Sequence, residues 1–122
     1  MATALASISA CSAVKLAYNN LPDIGYWWID AYVDFSEPQT LQVRSELAQL
    51  HKWHRDTELV KLADLLQRIH RLAPMDTTPE QLCSLYDDIQ ARFDMVARQA
   101  EPAAAALALK LEPGQIKHME AR

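Results

Sequence analysis

The chain has 122 residues, half of them apolar, with 12 basic against 16 acidic side chains and a net charge of −4. That length and apolar content suit one domain with a modest core, and the absence of a basic run excludes the electrostatic footprint of a nucleic-acid binder. Two glycines and six prolines among abundant Ala, Leu, Gln, Glu and Arg favour helix over a strand-rich fold with many tight turns.

Residues 1–10, MATALASISA, are uncharged and small or apolar, like the end of a secretory signal segment, and they stop at Cys11. Ile8-Ser9-Ala10-Cys11 is similar to a bacterial lipobox, in which an aliphatic residue and two small ones precede a cysteine whose thiol receives diacylglycerol. The alternative is a small buried cysteine on an Ala-rich helix. Residues 11–21 then read as a lipid-anchor tether, and 22–122 as the helical domain. No run approaches the roughly 18 apolar residues of a spanning helix.

A first helix is expected over 22–35, with Ile24, Trp27, Trp28, Ala31 and Phe35 on one aromatic face. Ser36-Glu37-Pro38-Gln39 starts a second, over 37–72, by placing a hydroxyl at the N-cap, proline in the first turn and glutamine three residues after the cap. Its apolar phase slips around Asp56-Thr57, where a kink or a new cap is expected. Thr78-Pro79-Glu80-Gln81 repeats the start signal for a third helix, to about 110. There Leu82, Leu85, Ile89, Phe93, Val96, Ala100, Ala103 and Leu107 form a heptad-like seam, and Pro102 should bend or restart the chain at Glu101. Glu112-Pro113-Gly114-Gln115 opens a last helix over 113–122, with Leu111 and Ile116 placed as a hydrophobic staple. The expectation is an all-α fold of about four helices in an antiparallel, bundle-like arrangement. So short a closing helix predicts that the natural protein continues past Arg122.

Chemistry is sparse along this path. His51 and His54 share a helical face and are the only candidate metal pair, but a third ligand is not apparent, since His70 and Cys83 lie far along the chain. Packing of His54 at a helix interface is the stronger reading. Asp87, Asp88 and Asp94 read as a solvated face, and Cys83 as a partly sheltered free thiol. No G-x-S-x-G, phosphate loop or H-E-x-x-H occurs, so no catalytic residue, cofactor or enzymatic activity is expected. Seven of the nine aromatic residues lie between Tyr18 and Trp53. Among them Tyr26, Trp27 and Trp28 are candidates for membrane or partner contact, because Trp and Tyr favour headgroup regions and interfaces.

Cys11-Ser12-Ala13-Val14-Lys15-Leu16-Ala17-Tyr18-Asn19-Asn20-Leu21-Pro22, Tyr26-Trp27-Trp28-Ile29-Asp30, and Leu50-His51-Lys52-Trp53-His54-Arg55 with Ala63-Asp64-Leu65-Leu66 resemble a family of uncharacterised proteobacterial lipoproteins, a domain of unknown function. The resemblance implies lipidation at Cys11, anchoring on a membrane, and no known catalytic residues. With Ser12 rather than Asp after the cysteine, it implies the periplasmic side of the outer membrane. Thr78-Pro79-Glu80-Gln81 and Leu111-Glu112-Pro113-Gly114-Gln115 are more weakly similar to the L-T-x-x-Q motifs of periplasmic chaperones and stress sensors of the Spy/CpxP type. Two functions follow as expectations: a membrane-anchored helical module that meets an envelope protein partner, or a chaperone-like binder of unfolded envelope proteins.

Overall fold

The computed structural model describes the backbone of residues 2–122 and the side chains of residues 10–122, so Met1 and the side chains of Ile8 and Ser9 in the lipobox-like stretch lie outside the described residues. The fold is helical, without a strand among the described residues: α1 (Ala2–Asn19), α2 (Leu21–Val33), α3 (Glu37–Trp53), a π-helical turn (His54–Glu58), α4 (Leu59–Leu72), α5 (Pro79–Ala108) and α6 (Pro113–Glu120). Because α3, the π turn and α4 run on without a break, the backbone makes five continuous helices, where about four were expected. The additional one is α1, whose Ala-rich sequence carries a single charged residue, Lys15. The segment read as a tether, 11–21, is therefore helical almost throughout.

Helix starts follow the local chemistry. Thr78 Oγ1 accepts from the Gln81 N–H at 3.2 Å while Gln81 Oε1 accepts from the Thr78 N–H at 2.9 Å, a complete capping box. Ser36 and Glu112 likewise donate their N–H groups to Gln39 and Gln115, each at 2.9 Å. Where the apolar phase slips, the chain inserts the π turn, and Thr57 Oγ1 donates to the Trp53 carbonyl at 2.8 Å. Pro102 does not restart the chain at Glu101: α5 runs on through it. It lies with Arg98 on the exposed side, where water can take the carbonyl that a proline at i+4 leaves without a donor.

Two compact units form. Unit 1 comprises the chain up to Ala48 together with Leu111–Arg122, and unit 2 comprises Gln49–Lys110. In unit 1, α2 packs against α6 and α1 against α2. Its core is Tyr26, Val33, Phe35, Val43 and the polar Gln39, with the Tyr26 and Phe35 rings 6.0 Å apart. Tyr26 also shares a 3.0 Å hydrogen bond with Thr40, and the Arg44 guanidinium sits 4.0 Å over its ring while pairing with Asp23 at 2.9 Å. In unit 2, α4 packs on α5, and the ion pairs Glu58–Arg92, from the π turn, and Arg68–Asp88, from α4, tie the two segments together. Leu65 is its buried apolar residue and Glu58 its buried charge.

Asp34 ends α2 in the left-handed region, at φ 58° and ψ 71°. Asp tolerates that conformation better than most residues, yet glycine adopts it without steric cost. Asp34→Gly should leave the fold unchanged and raise stability by up to ~1 kcal/mol, read as a higher urea midpoint at an unchanged slope.

Candidate functional site

Cys11 lies on α1 as an exposed free thiol, followed by the exposed Val14 and Leu16. The path from there into α2 is helical nearly throughout: the Asn20 N–H and Nδ2 both donate to the Leu16 carbonyl, at 3.1 and 2.8 Å, and the Ile24 N–H donates to the Asn20 carbonyl at 3.1 Å. Pro22 is accommodated in the first turn of α2, where no intrahelical donor is required.

Helix α2 has two faces. Tyr26 and Val33 are buried and Ile29 is half-buried on one, while Leu21, Ile24, Trp27, Trp28, Ala31 and Tyr32 point outward on the other. Asp23, exposed one turn before Trp27 and paired with Arg44, borders this face, which carries no other charged residue. Trp27 is 65 % and Trp28 66 % exposed, and Trp28 leans on Tyr32 with ring centroids 5.1 Å apart. This corrects the expected face: of Ile24, Trp27, Trp28, Ala31 and Phe35, only Phe35 enters the core. The expected contact set is also divided, because Tyr26 is 7 % exposed and belongs to the core. Tyr26 can be buried because its hydroxyl meets Thr40 and its ring face meets Arg44.

His51 and His54 are half-buried at the end of α3 and the start of the π turn, and the Trp53 and His54 rings meet edge to face at 6.4 Å. Among the described residues no three His, Cys, Asp or Glu side chains gather as a metal site. Cys83 is exposed on α5, not sheltered. Asp88, read as part of a solvated face, is tied to Arg68.

Two polar constellations were not anticipated. The first centres on Glu58, 2 % exposed, whose carboxylate accepts from Arg92 at 2.6 Å and from Lys61 at 3.2 Å. Burial alone pushes this carboxyl up, but the hydrogen bond from Lys61 and the charge of Arg92 outweigh it and hold it below its ordinary value of 4.5. The sequence did carry a signal: Glu58 falls on the line of Leu62, Leu65 and Ile69, and Arg92 on that of Leu85, Ile89 and Val96. Each is a charge at a seam position.

The second constellation joins two helix starts. Gln115 Nε2 donates to Gln39 Oε1 at 2.6 Å and Gln39 Nε2 to Gln115 Oε1 at 3.3 Å, while Gln115 Nε2 also reaches the Asp34 carbonyl at 3.0 Å. Each amide oxygen simultaneously accepts from its own helix's N-cap N–H. His118 Nε2 adds a 3.2 Å bond to the Ala31 carbonyl near the end of α2.

A family model, described as a family of unknown function (DUF6279), matches residues 31–122. The chain belongs to this family. The DUF6279 span begins within α2, after Cys11, Trp27 and Trp28, and takes in the Gln39–Gln115 pair and the Glu58–Arg92 pair. No curated protein and no solved structure gives a match. Chemically, the DUF6279 portion of this chain offers a buried ion cluster and a reciprocal amide pair whose groups are all satisfied internally, both of which hold helices together. The exposed Cys11, Trp27 and Trp28 precede it.

Proposed function

We propose that the chain is a membrane-anchored helical lipoprotein of the bacterial cell envelope that acts as an interaction or structural module. It carries lipid on Cys11, lies on the periplasmic side of the outer membrane and meets an envelope partner through its helices, arranged antiparallel. The observation that carries this reading is the apolar outward face of α2, with both tryptophans exposed one short helical path after a cysteine in a lipobox-like sequence. Trp and Tyr rings favour the headgroup region, and a lipid-linked Cys11 would bring them to it. The outer-membrane assignment rests on Ser12 following the cysteine. No helix is long and apolar enough to cross a membrane, so attachment of the described residues would rest on lipid and surface contact.

The chaperone-like reading draws on the Thr78–Gln81 and Glu112–Gln115 motifs. Gln81 serves its helix start, and Gln115 serves its own and the pairing with Gln39, so good capping accounts for both motifs without a client.

Intact-mass measurement of the natural protein extracted from membranes tests the lipoprotein reading. The expected result is a mature chain beginning at Cys11 with the added mass of diacylglycerol and an N-acyl chain. An unmodified Cys11 would end it.

A further inference from the structure

Helix α5 carries a second apolar line beside the one that packs on α4. At 100° per residue, Leu82, Tyr86, Phe93, Ala97, Ala100 and Ala104 fall within about 60° of arc, rotated by roughly 70° from the face of Leu85, Ile89 and Val96. Tyr86 and Phe93 are 65 % and 69 % exposed, and Leu82 is 54 % exposed. Leu66 on α4, also more than half exposed, is rotated from its own buried face in the same sense. In an antiparallel hairpin that places it on the same side, so unit 2 presents one uncharged apolar face built from both helices.

The order of residues along this line identifies what covers it. Large side chains occupy its first half and alanines its second, and the two halves are related about Phe93. Leu82 and Ala104 lie 11 residues to either side of Phe93, and Tyr86 and Ala100 lie 7. An open groove of about 520 Å³ runs along the alanine half, lined by Ala97, Ala100 and Ala104 with Asp94, Arg98 and Glu101. We infer that this face is a homodimer interface, in which α5 of a second copy lies antiparallel across α5 about a two-fold axis through Phe93. Each large residue then enters the space over an alanine of the partner, Phe93 stacks on its own copy, and the two hairpins close into a four-helix arrangement.

A self-complementary sequence of large and small residues is what an isologous contact requires, and neither a lipid surface nor an unrelated protein would select it. The area is adequate but small. An aromatic side chain carries ~150–250 Å², so Tyr86, Phe93, Leu82, Leu66 and the alanines together offer about 500–600 Å² per copy, below the roughly 800 Å² per partner of a standard interface. The dimer should accordingly be reversible, with a dissociation constant on the order of 1–100 μM.

The test uses the chain with Cys11→Ser and Cys83→Ser, studied by sedimentation equilibrium. Tyr86→Ala, which leaves a void over Ala100, and Ala100→Tyr, which sets large against large, should each weaken dimerisation at least tenfold with helicity unchanged. The double variant Tyr86→Ala/Ala100→Tyr exchanges the partners across the axis and should recover to within about threefold. In the same background Phe93→Cys should oxidise to a disulfide-linked dimer. With Cys83 restored and Phe93 intact no such dimer should form, because the two copies of Cys83 would lie ~30 Å apart. A chain that remains monomeric to millimolar concentration, a double variant no better than its parents, or failure of Phe93→Cys to cross-link would overturn the inference. So would a monomer whose Tyr86→Ala variant loses binding to phosphatidylethanolamine vesicles, which would assign the face to lipid.

Discussion

Replacing Cys11 by Ser should move the protein from the membrane fraction to the soluble fraction almost completely. If the cysteine carries lipid, each buried methylene contributes about 0.8 kcal/mol, and a single chain of myristoyl length already supports a partition constant near 10⁴ M⁻¹. Losing all the chains should therefore reduce partitioning by more than about 10⁴-fold. What remains is the outward face of α2, whose two exposed tryptophans present a narrow strip and no basic cluster to hold anionic headgroups. Trp27→Ser with Trp28→Ser should, by contrast, leave fractionation unchanged while altering the depth at which the chain sits, read by quenching of a fluorophore attached near Leu21. Unchanged membrane partitioning of the Cys11→Ser chain would assign anchoring to the aromatic face or to a partner.

Arg92→Met should destabilise the protein by about 3 kcal/mol, toward the low end of the 3–5 kcal/mol typical of a broken buried ion pair. The low end applies because Lys61, half-exposed, still reaches the Glu58 carboxylate. Against a total stability of roughly 5–15 kcal/mol that is a large fraction, and unit 2 has little apolar burial to offset it, with Leu65 as its buried apolar side chain. Removing both charges, as Glu58→Met with Arg92→Met, should recover most of the loss, since two well-packed apolar groups leave no orphan behind. The pH dependence has a fixed sign. In the folded chain the Glu58 carboxyl sits below 4.5, so the unfolded chain takes up its proton first as the pH falls. The contribution of Glu58 is thus fully present above about pH 4.5 and is lost as the pH drops through the folded value. Urea titrations at pH 3, 5 and 7 should show that acid-side loss in the parent chain and a smaller one in Arg92→Met.

The parts of this fold that could be read from the sequence are those whose causes are local. Proline in the first turn with glutamine three residues after the cap marks the starts of α3, α5 and α6 because donor, acceptor and ring all lie within four residues. The slip at Asp56-Thr57 was visible for the same reason, as a break in spacing, although spacing alone did not say that the chain would absorb it as a π turn. Orientation was harder to read. Trp27 and Trp28 fit an apolar helix face as well as Tyr26 does, and what decides between the two faces of α2 is Thr40 and Arg44, 14 and 18 residues further on. Hydrophobicity gives a period but not the identity of the neighbour. Glu58 and Arg92 were legible only together, as charges occupying seam positions on two helices that face each other. Gln39 and Gln115 were recognised in their capping roles, and nothing near either residue reports that each amide has a second partner 76 residues away.

That long-range amide pair fixes an order of events during biosynthesis. Unit 1 is interrupted in sequence: α1, α2 and the first part of α3 leave the ribosome early, but α6, which packs on α2, emerges only after the whole of unit 2. Unit 2 is contiguous and rich in local contacts, so its hairpin can close as soon as α5 is free, whereas joining Gln39 to Gln115 requires closing a far longer loop. The nascent chain should therefore carry the α6-facing surface of α2 uncovered for as long as the whole of unit 2 is being synthesised, a species open to export machinery, proteases and holding chaperones until α6 arrives.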